Sequence, residues 1–276
     1  MVIEVIREGA SAARAKVAIF DFDGTLSLIR SGWMEVMVPL CVEQLAALGT
    51  GESETQLRAV VEEFVWRLTG KETIYQMMAL AEAIRDRGGQ PLEPLTYKKT
   101  YLDRLWLKIR DRIEALRSGS VPADRYLVPG SRHLLEDLAS RGIRLYLASG
   151  TDDRNVKEEA ALLGIADYFE GRIFGAQDDL KSFSKALLVQ RILSKTGGIS
   201  ATELLVFGDG FVEIEEVKRV GGVAVGVATS EPECLVVDLW KRERLIKAGA
   251  DYVIPHFQRL DELLPVLFRV PALMER

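Results

Sequence analysis

Two carboxylates one residue apart, Asp21 and Asp23, close the stretch KVAIFDFD in the segment from Lys16 to Ser27. The apolar run Val17 to Phe20 reads as a short strand buried on both faces, and the acids stand where it ends. Side chains at i and i+2 of an extended segment project to the same side, so both carboxylates should face one cleft. Two like charges about 4 Å apart repel by roughly 4 kcal/mol at an effective dielectric near 20. Such a pair calls for a cation, a shared proton, or both. Gly24 lets the backbone turn tightly beside a ligand, and the Thr25 hydroxyl can bond the carboxylates or a phosphate they serve.

In open α/β sheets ligands bind beyond the carboxyl ends of the strands, so the residues after each later apolar run matter. Ser149-Gly150-Thr151 follows Leu147-Ala148, offering a hydroxyl and backbone amides suited to a phosphoryl oxygen. A plain turn with Asp152 or Asp153 capping the next helix is compatible with the same residues. Leu204 to Phe207 is another buried run, ending in Gly208-Asp209-Gly210. A dinucleotide fingerprint is a poor reading there, because position 213 is Glu rather than Gly. A nucleophile elbow fails at Leu147, where the first glycine of G-x-S-x-G belongs. His133 and His256 lie in contexts unrelated to Ser149, which argues against a serine-histidine-acid triad.

Asp21-Phe22-Asp23-Gly24-Thr25-Leu26 resembles the first motif of the haloacid dehalogenase superfamily, most of whose members are magnesium-dependent phosphatases. Ser149 matches its second motif and Asp209 its fourth. For the third, a lone lysine, Lys185 resembles the spacing of the phosphoserine phosphatase branch, while the phosphoglycolate-phosphatase-like spacing would favour Lys181. The resemblance implies that Asp21 attacks phosphorus and Asp23 serves as general acid and base. It implies Mg²⁺ held by the Asp21 carboxylate, the Asp23 carbonyl and Asp209, and phosphoryl oxygens held by Ser149, the Gly150 backbone and the lysine. Glu213 stands where the family usually has aspartate, so its part, direct or through water, is open. The implied function is hydrolysis of a small phosphorylated metabolite through an aspartyl-phosphate. A phosphomutase of the β-phosphoglucomutase type would use the same residues, and a non-catalytic binding module is the reading from a different class.

The elements that must position these groups change period along the chain. Residues 28–126 show helical periodicity and almost no strand signal. Leu57, Val60, Val61, Phe64, Val65 and Leu68 mark one apolar face, Ile74 to Ile84 a second, Tyr101 to Leu116 a third, and Gly32 to Ala47, bent at Pro39, a fourth. From Tyr126 strands and helices alternate, with strands expected at Arg144 to Ala148, Leu204 to Phe207, Val223 to Val227 and Tyr252 to Ile254. The fold class expected is α/β: a Rossmann-like, doubly wound parallel sheet of residues 1–27 and 127–276 with an all-helical cap, 28–126, inserted. Val2 to Ile6 alternates weakly and suits an edge strand. Specificity is expected in the cap, from Arg30 and Trp33 just beyond the acids and from the turn Thr69-Gly70-Lys71.

A formal charge of −5 with no basic run interleaved with aromatics argues against nucleic acid as a partner. Cys41 and Cys234 are far apart and lack metal-ligand spacing, which suits a reducing cytoplasm. No apolar run approaches the ~18 residues of a membrane span, so no membrane partner is expected.

Overall fold

β2, Val17–Phe20, lies in the interior of the sheet, as suits a strand whose four side chains are all apolar and buried. Successive side chains of a strand face opposite ways. Val17 and Ile19 accordingly enter one hydrophobic core, and Ala18 and Phe20 the other. Each such burial stabilises by about 1.5–3 kcal/mol for a large side chain. Phe20 also stacks on Phe207 of the neighbouring strand, with ring centroids 4.8 Å apart.

The computed structural model describes residues 3–177, 184–195 and 199–270. After β1 (Glu4–Val5) and β2 come four helices, α1 (Met34–Ala46), α2 (Glu54–Leu68), α3 (Thr73–Asp86) and α4 (Pro94–Ser118). Their boundaries follow local chemistry. Ser53 and Gln56 form a reciprocal capping box at the start of α2, Pro94 opens α4, and Gly119 closes it in the left-handed conformation. The expected apolar faces form the bundle's interior: Leu57, Val61 and Phe64, then Met77 and Leu80, then Tyr101, Leu105 and Ile109 are all buried.

The remaining chain runs α5 (Ser131–Ser140), β3 (Arg144–Asp152), α6 (Asp153–Leu162), β4 (Ile173–Ala176), α7 (Lys185–Lys195), β5 (Leu204–Gly208), α8 (Phe211–Val220), β6 (Val223–Val227), α9 (Leu239–Lys247), β7 (Tyr252–Ile254) and α10 (Leu260–Leu267). The sheet order is β1-β7-β6-β5-β2-β3-β4, parallel throughout except for β1, which pairs antiparallel with β7. Thus the Rossmann-like α/β reading holds, with an antiparallel edge strand added. β4 and the helices α8, α9 and α10 go beyond the elements legible in the sequence.

Register decides where the chemistry meets. Phe20 pairs with Phe207 on one side and Leu147 on the other, so Asp21, Asp209 and Ser149 all emerge at one edge. The Asp21 amide donates to the Phe207 carbonyl at 2.9 Å, tying that edge together. β3 runs on to Asp152 with a register irregularity between Ala148 and Asp152, so Ser149-Gly150-Thr151 belongs to the strand rather than to a turn after it. Among the described residues no helix is long and apolar enough to cross a membrane.

Candidate active site

The turn after β2 is built on one carbonyl. Phe22 accepts from the amides of Thr25, Leu26 and Ser27 at 2.8–3.2 Å, and Gly24 sits at φ +74°. A Cβ at Gly24 would lie 2.3 Å from Asp209 Oδ2, so both the backbone angle and the space demand glycine.

Asp21 is buried, and Lys185 Nζ reaches it at 2.9 Å while also holding Glu213 at 2.7 Å. Lys185 opens α7 and is itself buried. Burial opposes its charge, but the two carboxylates more than offset this and hold its pKa above the ordinary value. Lys181, the alternative, lies outside the described residues. Glu213 is fixed at the start of α8, where its other oxygen accepts the Gly210 amide at 2.9 Å, and a Cβ at Gly208 would strike it at 2.1 Å.

Carboxylate oxygens of Asp21, Asp209 and Glu213 lie within 4.8 Å of one another. Burial, reinforced by Glu213 and Asp209 and opposed by Lys185, pushes the pKa of Asp21 well up. Three converging hard oxygen donors, one of them destabilised as an anion, fit a hard divalent cation such as Mg²⁺. The Asp23 carboxylate stands outside this group. Thr25 is fully buried and absorbed by Asp209: its hydroxyl accepts the Asp209 amide at 2.9 Å and lies 3.4 Å from Asp209 Oδ1. Of the two partners expected for this hydroxyl it meets a carboxylate, and it is not among the residues lining the cleft.

Asp23 has a different setting. Its Oδ2 accepts from Thr151 Oγ1 at 2.7 Å and lies 3.4 Å from Ser149 Oγ, while buried Oδ1 has no hydrogen-bond partner among the described residues and stands 4.0 Å from Arg30. Burial pushes its pKa up to about 6, against the pull of Arg30. Arg30 is gripped by Glu159 of α6, with Nη2 2.7 Å and Nε 3.1 Å from Oε1, so its charge is already matched. Arg112 of α4 in turn holds the carbonyls of Ile29 and Ser31 at 2.7 and 2.9 Å.

Neither Asp152 nor Asp153 caps α6 with its side chain; Asp152 binds Lys98 at 2.6 Å and Asp153 accepts the Gly175 amide at 3.1 Å. The Thr69-Gly70-Lys71 turn lies against the core. A Cβ at Gly70 would be 3.1 Å from Gly210 Cα, and one at Gly150 would be 3.0 Å from the Lys71 carbonyl. All three turn residues line the cleft with Arg30, Trp33, Ser149 and Gly150, as expected. The Lys71 ammonium itself lies over the Tyr75 ring, 5.6 Å from its centroid.

Several site residues escape a reading of the sequence. Lys241 of α9 bridges Asp209 at 2.8 Å and Glu231 at 2.7 Å, and Ser31 donates to Glu231 at 3.0 Å. Nothing local marks these residues, since α9 carries no motif. Thr151 was within reach, two residues after Ser149 in the same extended run.

Residues 15–221 match the family described as haloacid dehalogenase-like hydrolase, and the chain belongs to that family. It is a hydrolase fold with a carboxylate-rich site, and solved structures share the architecture. A predicted phosphoglycolate phosphatase from Haemophilus somnus is 16% identical, with a TM-score of 0.58 over 91% of this chain and 98% of that one. A β-phosphoglucomutase from Clostridium difficile is 15% identical, with a TM-score of 0.60 over 92% and 97%. CbbY from Rhodobacter sphaeroides, solved with xylulose-(1,5)bisphosphate, is 18% identical, with a TM-score of 0.55 over 89% and 96%. No curated protein sequence matches.

Proposed function

We propose that the chain is a Mg²⁺-dependent phosphatase acting on a small phosphate monoester, with residues 28–126 as its cap. The observation that carries this reading is the divergent setting of two neighbouring acids, Asp21 held by Lys185 among carboxylates and Asp23 held by hydroxyls with its pKa near 6. Environments that push two acids apart assign them separate roles.

An Asp21 oxygen attacks phosphorus, forming an O–P bond as the ester P–O bond breaks. Asp23 gives its proton to the departing alkoxide. Water then attacks phosphorus, Asp23 takes a proton from that water, and the bond to Asp21 breaks to release phosphate. Ser149, the Gly150 amide and Lys185 bind phosphoryl oxygens, and Lys185 lowers the repulsion around Asp21. Thr151 orients Asp23 by donating to its Oδ2. Asp21, Asp209 and the Asp23 carbonyl are the residues that would hold Mg²⁺, with Glu213 near enough to contribute directly or through water while it also keeps Lys185 in place. When bound, the ion supplies positive charge to the phosphoryl oxygens.

The cleft volume, about 110 Å³, suits a phosphate on a short carbon chain better than a nucleotide. Release of phosphate from p-nitrophenyl phosphate with Mg²⁺, its loss with chelator, and its loss in Asp21→Asn test the reading. Full activity in that variant would overturn it.

A further inference from the structure

Beyond the acids, the cleft is walled by Ser31, Trp33, Gln76 and Tyr101 from the helical side and by Asp23 and Glu231 from the sheet side. Its charges are matched in a particular way. Arg30 is bound to Glu159 at 2.7 Å, Lys185 to Asp21 and Glu213 at 2.9 and 2.7 Å, and Lys241 to Asp209 and Glu231 at 2.8 and 2.7 Å. Of the cations lining the cleft, Arg30, Lys185 and Lys71, that leaves Lys71, which is exposed and lies over Tyr75. A second anion entering this chamber would meet Asp23 and Glu231 with no buried cation to receive it.

The polar groups that do face the chamber are neutral. Gln76 and Tyr101 are each 4% exposed, and among the described residues neither the Gln76 amide nor the Tyr101 hydroxyl has a hydrogen-bond partner. Neither group is a buried unpaired atom, so the Gln76 amide and the Tyr101 hydroxyl are open to the cleft they line and free to bond an occupant there. Glu231, already accepting from Ser31, has acceptor capacity suited to a hydroxyl donor. Trp33 offers an apolar face for carbon.

We propose that the site selects phosphate esters whose leaving group is an uncharged, hydroxyl-bearing alcohol and rejects those carrying a second anion, with Gln76, Tyr101 and Glu231 as the determinants. This rests on the phosphatase reading above and sharpens it, because esters of hydroxy acids and bisphosphates fall outside the class. Rejection of bisphosphates also disfavours a mutase, whose intermediate would be one.

The test uses isosteric pairs: glycerol 3-phosphate against 3-phosphoglycerate, and 2-hydroxyethyl phosphate against 2-phosphoglycolate. Each alcohol should exceed its carboxylate partner in kcat/KM by at least about 100-fold. Glu231→Gln should shrink that ratio about tenfold or more, since it removes a repelling charge and releases Lys241 from one carboxylate. Gln76→Leu and Tyr101→Phe should each lower turnover of glycerol 3-phosphate relative to p-nitrophenyl phosphate about tenfold. The same preference should appear as affinity when the two glycerol-based ligands are titrated calorimetrically into Asp21→Asn with Mg²⁺. Carboxylates bound and turned over within threefold of the alcohols, or a ratio unmoved in Glu231→Gln, would overturn the inference. Failure to hydrolyse p-nitrophenyl phosphate would instead overturn the phosphatase reading, and the binding ratio would still decide this one.

Discussion

Lys241 places its ammonium 2.8 Å from Asp209 Oδ2, on the oxygen opposite the one that faces Thr25. Asp209 is therefore shared between an internal cation and the proposed metal. Like charges on one carboxylate compete, and both are poorly screened by solvent, because the Lys241 side chain is only 12% exposed. Lys241→Met should tighten Mg²⁺ binding by roughly three- to tenfold, about 1 kcal/mol, in titration calorimetry without substrate. Unchanged or weaker binding would mean that Lys241 only positions Asp209.

Among the described residues Lys185 is the one cation paired with two buried acids, Asp21 and Glu213. Lys185→Met should lower kcat about 10³-fold or more. It should also reduce stability by roughly 3–5 kcal/mol, the usual cost of leaving buried charge uncompensated. Lys181→Ala should do far less. Steady-state kinetics and denaturant titration of both variants decide the matter, and the reverse ranking would move the catalytic lysine by four residues.

The pKa of Asp23, pushed up to about 6, predicts two pH dependences. With Mg²⁺ bound, kcat/KM for an alkyl phosphate should fall as pH rises above 6, because the leaving alkoxide needs the proton Asp23 has lost. An aryl phosphate, whose phenolate leaves unaided, should show a much flatter profile. Parallel profiles for the two esters would deny Asp23 the acid role.

Stability follows from the same shift. A carboxyl whose folded pKa is raised binds its proton more tightly in the native state, so its contribution is lost as pH rises from about 4 through 6. Above pH 6 the buried charge is a cost on the order of 1–3 kcal/mol, which Asp23→Asn removes. The variant's melting temperature should exceed that of the parent at pH 8 and match it near pH 4. Calorimetric scans showing no pH dependence of that difference would contradict the shift.

Gly70 packs its Cα against Gly210 at φ +95°, where a Cβ would stand 3.1 Å from the facing backbone. Gly70→Ala should keep the helical fold yet hold the turn off the core, lowering kcat/KM roughly ten- to hundredfold. A kinetically silent substitution would show that the close approach of this turn has no part in turnover.

Much of the site is legible in the chain because its parts are local. A buried run ending in Asp21 and Asp23, another ending in Asp209, and a helix opening at Lys185 each announce themselves by period and punctuation, and parallel strands bring their carboxyl ends to one edge. The helical block reads from its apolar stripes for the same reason. Other features depend on contacts between distant segments. That Thr25 serves Asp209, that Glu159 neutralises Arg30, and that Lys241 pairs with Asp209 and Glu231 are set by side chains 129 to 184 residues apart or by a helix with no motif. Sequence determined which residues can do chemistry and which edge they share. Only the tertiary structure decided which charges are already matched, because pairing depends on distances of about 3 Å between segments whose spacing along the chain carries no record of them.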